Sequence, residues 1–290
     1  MPKLVWLNGS MMPLETAVVS AADHAHLYGD GIFEGIRFYD RKIFKLDEHL
    51  RRLYEGITYF SYQMSIGFDE LRTLTIDVCR QADLVDGYIR LNVTRGTGLG
   101  LDPKNIDPEP NVMIMVNSLN LYPPERYEVG LHVNLSPIRV IPPDSLDPRV
   151  KCIGRYASNI LAKQIANRQG AGEALMLNHQ GFVAEGTGIN CFIVKNGIVR
   201  TPHPSCGILQ GITRDTVIQA LRKEGYTVEE TFLTVYDVAT ADEAFFCGTA
   251  AEVIAFVSLD GTKIGCGTPG KVTLKAMELF KEAIKTGVEF

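Results

Sequence analysis

The sequence predicts an α/β fold of the α+β type, in two parts, and three observations support this. Strand-like and helix-like patterns alternate irregularly along the 290 residues, without the regular rhythm of a doubly wound parallel sheet. The composition, 46% hydrophobic and 22% charged, is typical of a globular chain with one large or two medium domains. A polar, proline-bearing segment, NSLNLYPPERYEVG, lies between two regular stretches. We therefore expect a small α/β domain at residues 1–118, a linker at 119–129 and a larger domain at 130–290.

Apolar residues recur every three or four positions in two stretches of the first part. This spacing predicts amphipathic helices from about Asp47 to Phe60 and from about Asp69 to Ala82. Short strands are expected around them, and the strand VMIMV, at residues 112–116, ends this part of the chain.

The second part mixes strands and helices. Its pattern predicts a strand from Leu131 to Val140, a helix from about Ala157 to Arg168, and then short strands that turn at HQG and KNG. A helix is expected after GIT at residues 211–213, further strands between residues 243 and 264, and a last helix after Pro269.

Charge and composition exclude several classes of protein. The net charge of −5 is spread along the chain, so there is no basic stripe for nucleic acid or an anionic membrane. No apolar run is long enough for a signal peptide or a membrane span, and we expect a cytoplasmic protein. The six cysteines form no CxxC pair, which predicts free thiols instead of disulfides or a zinc site.

Two short motifs carry little functional information. GTGLG, at residues 96–100, lacks the third glycine of a dinucleotide fingerprint, and Asp102-Pro103 follows where a helix should begin. We expect a loop that allows close approach of other groups. His24 and His26 have no acidic or cysteine partner at ligand spacing, which favours structural histidines over a metal site. We expect no bound metal.

Four features together point to one cofactor. GITRD begins a helix, for which Thr213 is the expected N-cap, and the first amides of that helix can hold a phosphate. GTAAE places small residues at a strand end, where a ligand can approach the backbone. Lys151 in RVKCIGRY and Glu185 in VAEGTGINCF add an amine and a carboxylate. A lysine for a Schiff base, an acid for a ring nitrogen and anion-binding turns are what pyridoxal phosphate needs.

Seven motifs in register resemble the fold-type IV (class IV) pyridoxal-phosphate enzymes, and among them the branched-chain amino acid aminotransferases. The motifs are YGDGIFEGIRFY, EHLRRL, YIR with VTRG, Lys151 with RY, VAEGTGIN, GITRD and GTAAE. They run nearly from end to end of the chain, in the family's order. The resemblance implies a small N-terminal α/β domain and a larger pseudo-barrel domain, with pyridoxal 5′-phosphate between them.

The resemblance implies a role for each group around the cofactor. Lys151 would form the Schiff base and move a proton between Cα and C4′, Glu185 would pair with the pyridine nitrogen, and Tyr156 would hydrogen-bond the ring O3′. The other cofactor contacts, mostly to the phosphate, would come from Arg52, Gly188, Ile212, Thr213 and Thr249. Helical spacing does not choose between Arg51 and Arg52, and only the family's E-H-x-x-R-L pattern selects Arg52.

A substrate pocket is implied as well. The substrate carboxylate would be held by Tyr88 and by the amides of Thr249 and Ala250. The walls would come from Tyr28, Phe33, Gly35, Arg37 and Arg90. The GLGLD loop would reach in from a second subunit, so a homodimer or a higher homo-oligomer is implied.

Departures from the family pattern concern the shape of this pocket. Ile153-Gly154-Arg155-Tyr156 stands where members often have G-G-N-Y, and Gln210 replaces a proline before GITR. The tryptophan that some members use in the interdomain segment is missing, because the only tryptophan is Trp6. Tyr122 is the candidate to fill that wall.

The implied activity is reversible amino transfer between branched-chain L-amino acids (leucine, isoleucine, valine) and 2-oxoglutarate, with ping-pong kinetics. A D-amino acid or (R)-amine transaminase is the alternative, although GTGLGLDPK stands where D-amino acid enzymes carry an R-x-H carboxylate trap. An aminodeoxychorismate lyase would share the lysine and the glutamate but tends to lack FEGIR. A non-enzymatic binding protein is disfavoured because Lys151 and Glu185 are both present. The order of preference among the three aliphatic substrates is left open.

Overall fold

The computed structural model describes residues 4–290 of the chain. They divide into two compact units, each built on one β-sheet. Unit 1 contains the chain up to Leu119, together with Val150–Tyr156 and Ile284–Phe290, and unit 2 contains Asn120–Arg149 and Ala157–Ala283. The limits of folding domains given above, at residues 118 and 130, remain a prediction.

The described residues form fifteen strands and eight α-helices. The strands are β1 (Leu4–Leu7), β2 (Ser10–Pro13), β3 (Gly31–Tyr39), β4 (Lys42–Ile43), β5 (Gly87–Thr94), β6 (Val112–Asn117), β7 (Leu131–Leu135), β8 (Glu173–Leu175), β9 (Asn190–Lys195), β10 (Ile198–Pro202), β11 (Val228–Thr231), β12 (Glu243–Gly248), β13 (Glu252–Leu259), β14 (Thr262–Lys263) and β15 (Val288–Glu289). The helices are α1 (His24–Tyr28), α2 (Leu46–Tyr59), α3 (Phe68–Ala82), α4 (Pro124–Val129), α5 (Tyr156–Arg168), α6 (Ile212–Lys223), α7 (Val235–Ala239) and α8 (Lys271–Ala283).

Unit 1 is built on an antiparallel sheet of seven strands in the order β15-β4-β3-β5-β6-β1-β2. Helices α2 and α3 pack on this sheet, and α2 buries Leu46, Leu50, Leu53 and Ile57, which share one helix face. The two amphipathic helices predicted for this part of the sequence are confirmed to within one residue at each end.

Unit 2 is built on a mixed sheet of eight strands. The strand order is β11-β10-β9-β12-β13-β7-β8, with β14 paired to β13. The pairs β10–β11, β7–β13 and β7–β8 are parallel, and the others are antiparallel. Helices α6 and α8 pack against each other and against β12. The three helices predicted for this part are confirmed as α5, α6 and α8.

The strand predicted from Leu131 to Val140 is wrong in length, because β7 ends at Leu135. Two neighbours explain the early end. Pro137 has no N–H to continue the ladder. The hydroxyl of Ser136 accepts the Ile138 N–H at 2.9 Å and turns the chain.

Three short helices, α1, α4 and α7, have no counterpart in the sequence pattern above. Helix α1 begins after Asp23, whose carboxylate accepts hydrogen bonds from the N–H groups of Ala25 and His26. Helix α4 lies inside the segment expected as a linker. It begins at Pro124, where a missing N–H costs nothing, and ends before Gly130.

All six cysteines are free, as their scattered spacing predicts. Five of the thiols are buried and Cys266 is exposed. Within residues 4–290, no helix combines the length and the apolar character needed to cross a bilayer.

Glu34 lies on β3 and is fully buried, so its charge has to be matched inside unit 1. Its Oε1 and Oε2 accept hydrogen bonds from Nε and Nη2 of Arg52 on α2, at 2.7 and 2.8 Å. His49 Nδ1 lies 2.7 Å from Oε2. Burial alone would raise the pKa of the Glu34 carboxyl, but Arg52 and His49 lower it to about 2. Burial also lowers the pKa of His49, so Glu34 and Arg52 carry the two charges at pH 7.

Replacing Glu34 with Gln removes the buried carboxylate that accepts two hydrogen bonds from the Arg52 guanidinium. We expect a loss of roughly 3–5 kcal/mol in the free energy of unfolding at neutral pH. The folded pKa of Glu34, about 2, lies below its ordinary 4.5. The stabilisation is therefore complete above pH 4.5 and is lost as the pH falls from 4.5 towards 2. Urea midpoints of wild type and Glu34→Gln should accordingly converge as the pH is lowered.

Glu55→Gln, on the exposed side of α2, is the control, and its urea midpoints should follow those of wild type at every pH. The His49 ring is present in all three proteins, so its titration contributes to each curve. Curves for wild type and Glu34→Gln that stay parallel into the acid range would contradict the assignment of the buried ion pair.

Candidate active site

One face of the β3–β5 ladder gathers five of the residues expected to form the substrate pocket. In β5, Ile89, Leu91 and Val93 point into the core of unit 1, so the alternate residues lie on the opposite face. Their ladder partners in β3 lie on that face as well. This set, which we name the pocket face, consists of Phe33, Gly35, Arg37, Tyr88, Arg90 and Asn92. The alternation of side chains in β3 and in β5 thus brings residues from two distant parts of the sequence onto one face.

Gly35 makes room for Tyr88 on the pocket face. A Cβ atom added at Gly35 would collide with the hydroxyl oxygen and the ring of Tyr88. The two residues are diagonal neighbours in the ladder, since Gly35 pairs with Arg90 and Arg37 pairs with Tyr88. A side chain at position 35 would therefore displace the phenol.

The two arginines of the pocket face have different partners. The guanidinium carbon of Arg90 lies 3.5 Å from the centre of the Phe33 ring, and its Nε donates to Asn92 Oδ1 at 2.8 Å. The guanidinium of Arg37 lies over the ring of Tyr39, at 4.8 Å. Arg90 is thus held flat on an aromatic residue of the pocket face, as cation–π contacts favour.

Lys151 lies beside the pocket face. The N–H of Phe33 donates to the Lys151 carbonyl at 3.0 Å, which ties the segment around Lys151 to β3. Lys151 Nζ donates to the hydroxyl of Tyr156 at 2.6 Å and lies 4.6 Å from the centre of the Phe33 ring. Tyr156 is the first residue of α5, and its ring meets Phe33 edge-on at 5.0 Å. One hydroxyl and two aromatic rings therefore hold the amine.

The two arginines of α2 that the helical spacing leaves equivalent differ in the structure. Arg51 is exposed. Arg52 is largely buried and is oriented by its two hydrogen bonds to Glu34. A bidentate contact of this kind fixes the plane of a guanidinium.

Tyr28 is placed by the glycine-rich loop and not by the β3–β5 ladder. Its hydroxyl accepts the Gly100 N–H at 3.2 Å. His24 contacts the Gly100 carbonyl through Nε2, at 2.9 Å, and Asp30 through Nδ1, at 2.7 Å. The GLGLD loop is thus tied to α1 of its own chain, and His24 has the structural partners that the sequence favours.

In unit 2, Glu185 lies in the loop between β8 and β9. Its Oε2 accepts hydrogen bonds from Asn190 Nδ2 and from the Leu209 N–H, both at 3.1 Å. Its backbone carbonyl accepts the Met176 N–H at 2.9 Å. Donors to a carboxylate favour its ionised form.

The prediction that Thr213 is the N-cap of its helix is wrong. Helix α6 begins at Ile212, its N-cap is Gly211, and Thr213 is buried in the first turn. Glycine is required at this N-cap, because a Cβ at Gly211 would collide with Asn190 Oδ1. Gly211 supplies no capping side chain, so the first amides of α6 keep the helix-end geometry that suits an anion.

Arg214 anchors the start of α6. Its side chain is almost completely buried and donates from Nη2 to the Pro202 carbonyl at 3.0 Å and to Glu230 at 2.9 Å. These contacts tie the helix start to strands β10 and β11.

Thr249 and Ala250 lie in the tight turn between β12 and β13, whose last ladder pair is Gly248 with Glu252. The turn is supported from α4, because the Tyr127 hydroxyl donates to the Ala251 carbonyl at 3.2 Å. Gly188 is exposed in the loop that follows Glu185.

Tyr122, the residue expected to replace the family tryptophan, donates its hydroxyl to Glu173 at 3.2 Å. Burial raises its pKa. Glu173 also accepts the Thr187 hydroxyl at 2.6 Å, and Lys163 Nζ lies 3.5 Å away. A buried carboxylate therefore links Tyr122 to the loop that carries Glu185. The place of Tyr122 in a pocket wall remains a prediction.

Sequence reasoning missed four residues that orient the expected groups: Glu34, His49, Glu173 and Asn190. Glu34, His49 and Asn190 stand inside the FEGIR, EHLRRL and GTGIN motifs, and that position was the available signal. Glu173 acts through partners that only the folded chain brings near. Across the part of the chain that the structure describes, no three His, Cys, Asp or Glu side chains form a group that could hold a metal ion.

Comparison with known proteins identifies the family. Residues 31–259 match the family model described as amino-transferase class IV. A putative branched-chain-amino-acid aminotransferase of Methanocaldococcus jannaschii is 42% identical over 279 residues, which cover 96% of this chain and 95% of the relative.

Solved structures agree with this match. The Escherichia coli branched-chain amino acid aminotransferase gives a TM-score of 0.92 at 32% identity, over 97% of this chain and 94% of that chain. The T.th. branched-chain amino acid aminotransferase with pyridoxamine 5′-phosphate gives a TM-score of 0.93 at 34% identity, over 98% of this chain and 94% of that chain. The predicted fold-type IV architecture and the resemblance to branched-chain aminotransferases are thereby confirmed. The chain belongs to the class IV aminotransferases.

Proposed function

We propose that this protein transfers the α-amino group reversibly between branched-chain L-amino acids and 2-oxoglutarate, with pyridoxal 5′-phosphate as its cofactor. The observation that carries the proposal is the Lys151 amine, which lies 2.6 Å from the Tyr156 hydroxyl and packs on Phe33 in a class IV aminotransferase. Relatives matched over nearly the whole chain are named branched-chain-amino-acid aminotransferases.

The residues present fit this cofactor. Backbone amides at a helix start and a guanidinium are the donors that a phosphate accepts from. The start of α6 has no capping side chain, and Arg52 is fixed in orientation by Glu34. We propose that the following residues contact the cofactor: Lys151, Tyr156, Glu185, Arg52, Gly188, Ile212, Thr213 and Thr249.

When bound, pyridoxal phosphate supplies a carbonyl carbon that condenses with amines and a ring that accepts electrons from the substrate Cα. Lys151 Nζ takes the proton from that Cα and delivers it to C4′. The Tyr156 hydroxyl, 2.6 Å from Nζ, orients the amine for both transfers. Glu185 holds a proton at the ring nitrogen, and its hydrogen bonds from Asn190 and the Leu209 N–H orient the carboxylate for that task.

We propose that the pocket face binds the substrate. Tyr88 and the amides of Thr249 and Ala250 hold the carboxylate that both substrates share, and Phe33 contacts the apolar branch. For the second carboxylate of glutamate we favour Arg90 over Arg37, because Arg90 lies on Phe33. The T.th. enzyme was crystallised with N-(5′-phosphopyridoxyl)-L-glutamate and with 4-methylvaleric acid, which supports a pocket that takes both kinds of side chain. Gly35 and Tyr28 complete the proposed walls.

We also propose a homodimer in the cytoplasm. Two apolar side chains of the glycine-rich loop are strongly exposed in the single chain: Leu99 (71%) and Leu101 (78%). Exposed apolar side chains grouped around one loop favour a protein–protein contact. The free thiols support a reducing compartment.

The first test is the attachment site. Borohydride reduction of the purified protein, followed by peptide mapping, should find the pyridoxyl group on Lys151. Lys151→Ala should lose the label and lower kcat by about 10²–10⁴-fold or more, because it removes both the attachment and the proton carrier. Lys281→Ala, an exposed lysine of α8, is the control and should keep label and activity. A label on another lysine would refute the assignment.

The second test is the substrate. L-leucine, L-valine, D-alanine and (R)-1-phenylethylamine are compared as amino donors to 2-oxoglutarate by kcat/KM. Both L-branched donors should exceed the other two. Leucine and valine should differ only modestly, because one methylene is worth about 1–3 kcal/mol. If D-alanine or the amine is the faster donor, the cofactor chemistry stands and the proposed specificity falls.

The third test is the assembly. Leu101→Asp should shift the protein from dimer towards monomer in analytical ultracentrifugation, because a buried, unpaired charge at a contact costs several kcal/mol. Leu274→Asp, at a half-exposed leucine of α8, is the matched control and should leave the molar mass unchanged. A wild-type monomer, or a Leu101→Asp dimer of wild-type affinity, would exclude this loop as the contact.

A further inference from the structure

Asn190 is the first residue of β9, and its buried side chain joins two segments that are distant in sequence. Its Nδ2 donates to Glu185 Oε2 at 3.1 Å and to the Leu209 carbonyl at 2.9 Å. The Leu209 N–H donates to the same Oε2 at 3.1 Å. Three hydrogen bonds therefore join the Glu185 carboxylate, the Asn190 side-chain amide and the backbone of Leu209.

The partners determine which way the Asn190 amide faces. A carboxylate oxygen and a peptide carbonyl only accept hydrogen bonds, so the NH₂ group has to face both of them. Oδ1 then lies against Gly211, where an added Cβ would collide with it. The same side chain thus contacts the carboxylate of Glu185 and the N-cap of α6.

Of the donors to Oε2, Asn190 contributes a side-chain amide, and Leu209 contributes a backbone N–H. A glutamate side chain has three rotatable torsions, and a donor from a different segment reduces the orientations it adopts. Removing the Asn190 amide takes one donor from Oε2 and also takes a donor from the Leu209 carbonyl.

We propose that Asn190 is a positioning residue for Glu185. It sets the orientation in which that carboxylate meets the ring nitrogen of pyridoxal phosphate, and it couples this orientation to the start of α6. The inference rests on the proposed function for the cofactor. Asn190 acts through Glu185 and Gly211 and is not assigned a contact with cofactor or substrate.

The experiment measures cofactor binding without turnover. Apoenzyme is titrated by equilibrium dialysis with pyridoxal phosphate and with its 1-deaza analogue, in which C–H replaces the ring nitrogen. The ratio of the two dissociation constants reports the contact between Glu185 and the ring nitrogen. A charge-assisted hydrogen bond gives wild type a preference for pyridoxal phosphate of about 10- to 100-fold, and Glu185→Gln removes it. Asn190→Ala should lower the preference about tenfold and change binding of the analogue much less.

Asn178→Ala is the matched control. Asn178 is also buried in unit 2, and its Oδ1 accepts the N–H groups of Gln180 and Phe182, both at 3.0 Å. This variant loses a comparable buried amide and should keep the wild-type preference. Asn190→Asp conserves the size of the side chain and replaces the donor with an oxygen. It tests the same point if Asn190→Ala does not fold, and it should lose the preference as well.

A preference that survives in the Asn190 variants overturns the positioning role. Equal weakening of the binding of pyridoxal phosphate and of its analogue leaves the ratio of their dissociation constants unchanged. This result also overturns the positioning role, because a residue that only supports the fold has that effect. A wild type without preference, or a Glu185→Gln variant that keeps it, overturns instead the cofactor role of Glu185 in the proposed function. The two failures are therefore distinguishable.

Discussion

The ion pair between Glu34 and Arg52 is the constraint on which unit 1 depends. Successive residues of a strand point to opposite faces, so Glu34 enters the core side of β3 while Phe33 and Gly35 lie on the pocket face. A carboxylate on the core side is tolerated only because Arg52 meets it with two hydrogen bonds. A shift of β3 by one residue would bury the pocket residues and expose the pair, so fold and site are specified by the same register.

The two acids that matter in this chain are stabilised in different ways. Glu34 is matched by a positive charge, which neutralises it inside the core. Glu185 accepts hydrogen bonds from an amide side chain and a peptide N–H, which orient its carboxylate. In the proposed function, the first carboxylate stabilises the fold and the second faces the ring nitrogen of the cofactor.

Local patterns in the sequence predict the elements that depend on interactions between residues close in sequence. The main helices follow from apolar spacing, and the motifs place Lys151 and Glu185 in register with the family. The sequence pattern fails where a residue that is distant in sequence determines the local structure. The N-cap of α6 is Gly211 and not Thr213, and the nearby Asn190 side chain leaves room only for glycine at that position. FEGIR marks Glu34 but does not identify its partners, because these lie on the next helix and only packing brings them within hydrogen-bond distance.

The return of residues 284–290 to unit 1 has a consequence for synthesis on the ribosome. Strand β15 pairs with β4, and the ring of Phe290 meets Phe38 edge-on at 5.2 Å. The segment around Lys151 also belongs to this unit. The first unit to emerge therefore lacks an edge strand and a core aromatic until all of unit 2 has been translated. Its sheet edge at β4 stays uncovered during that interval, and an uncovered edge strand is open to pairing with another chain.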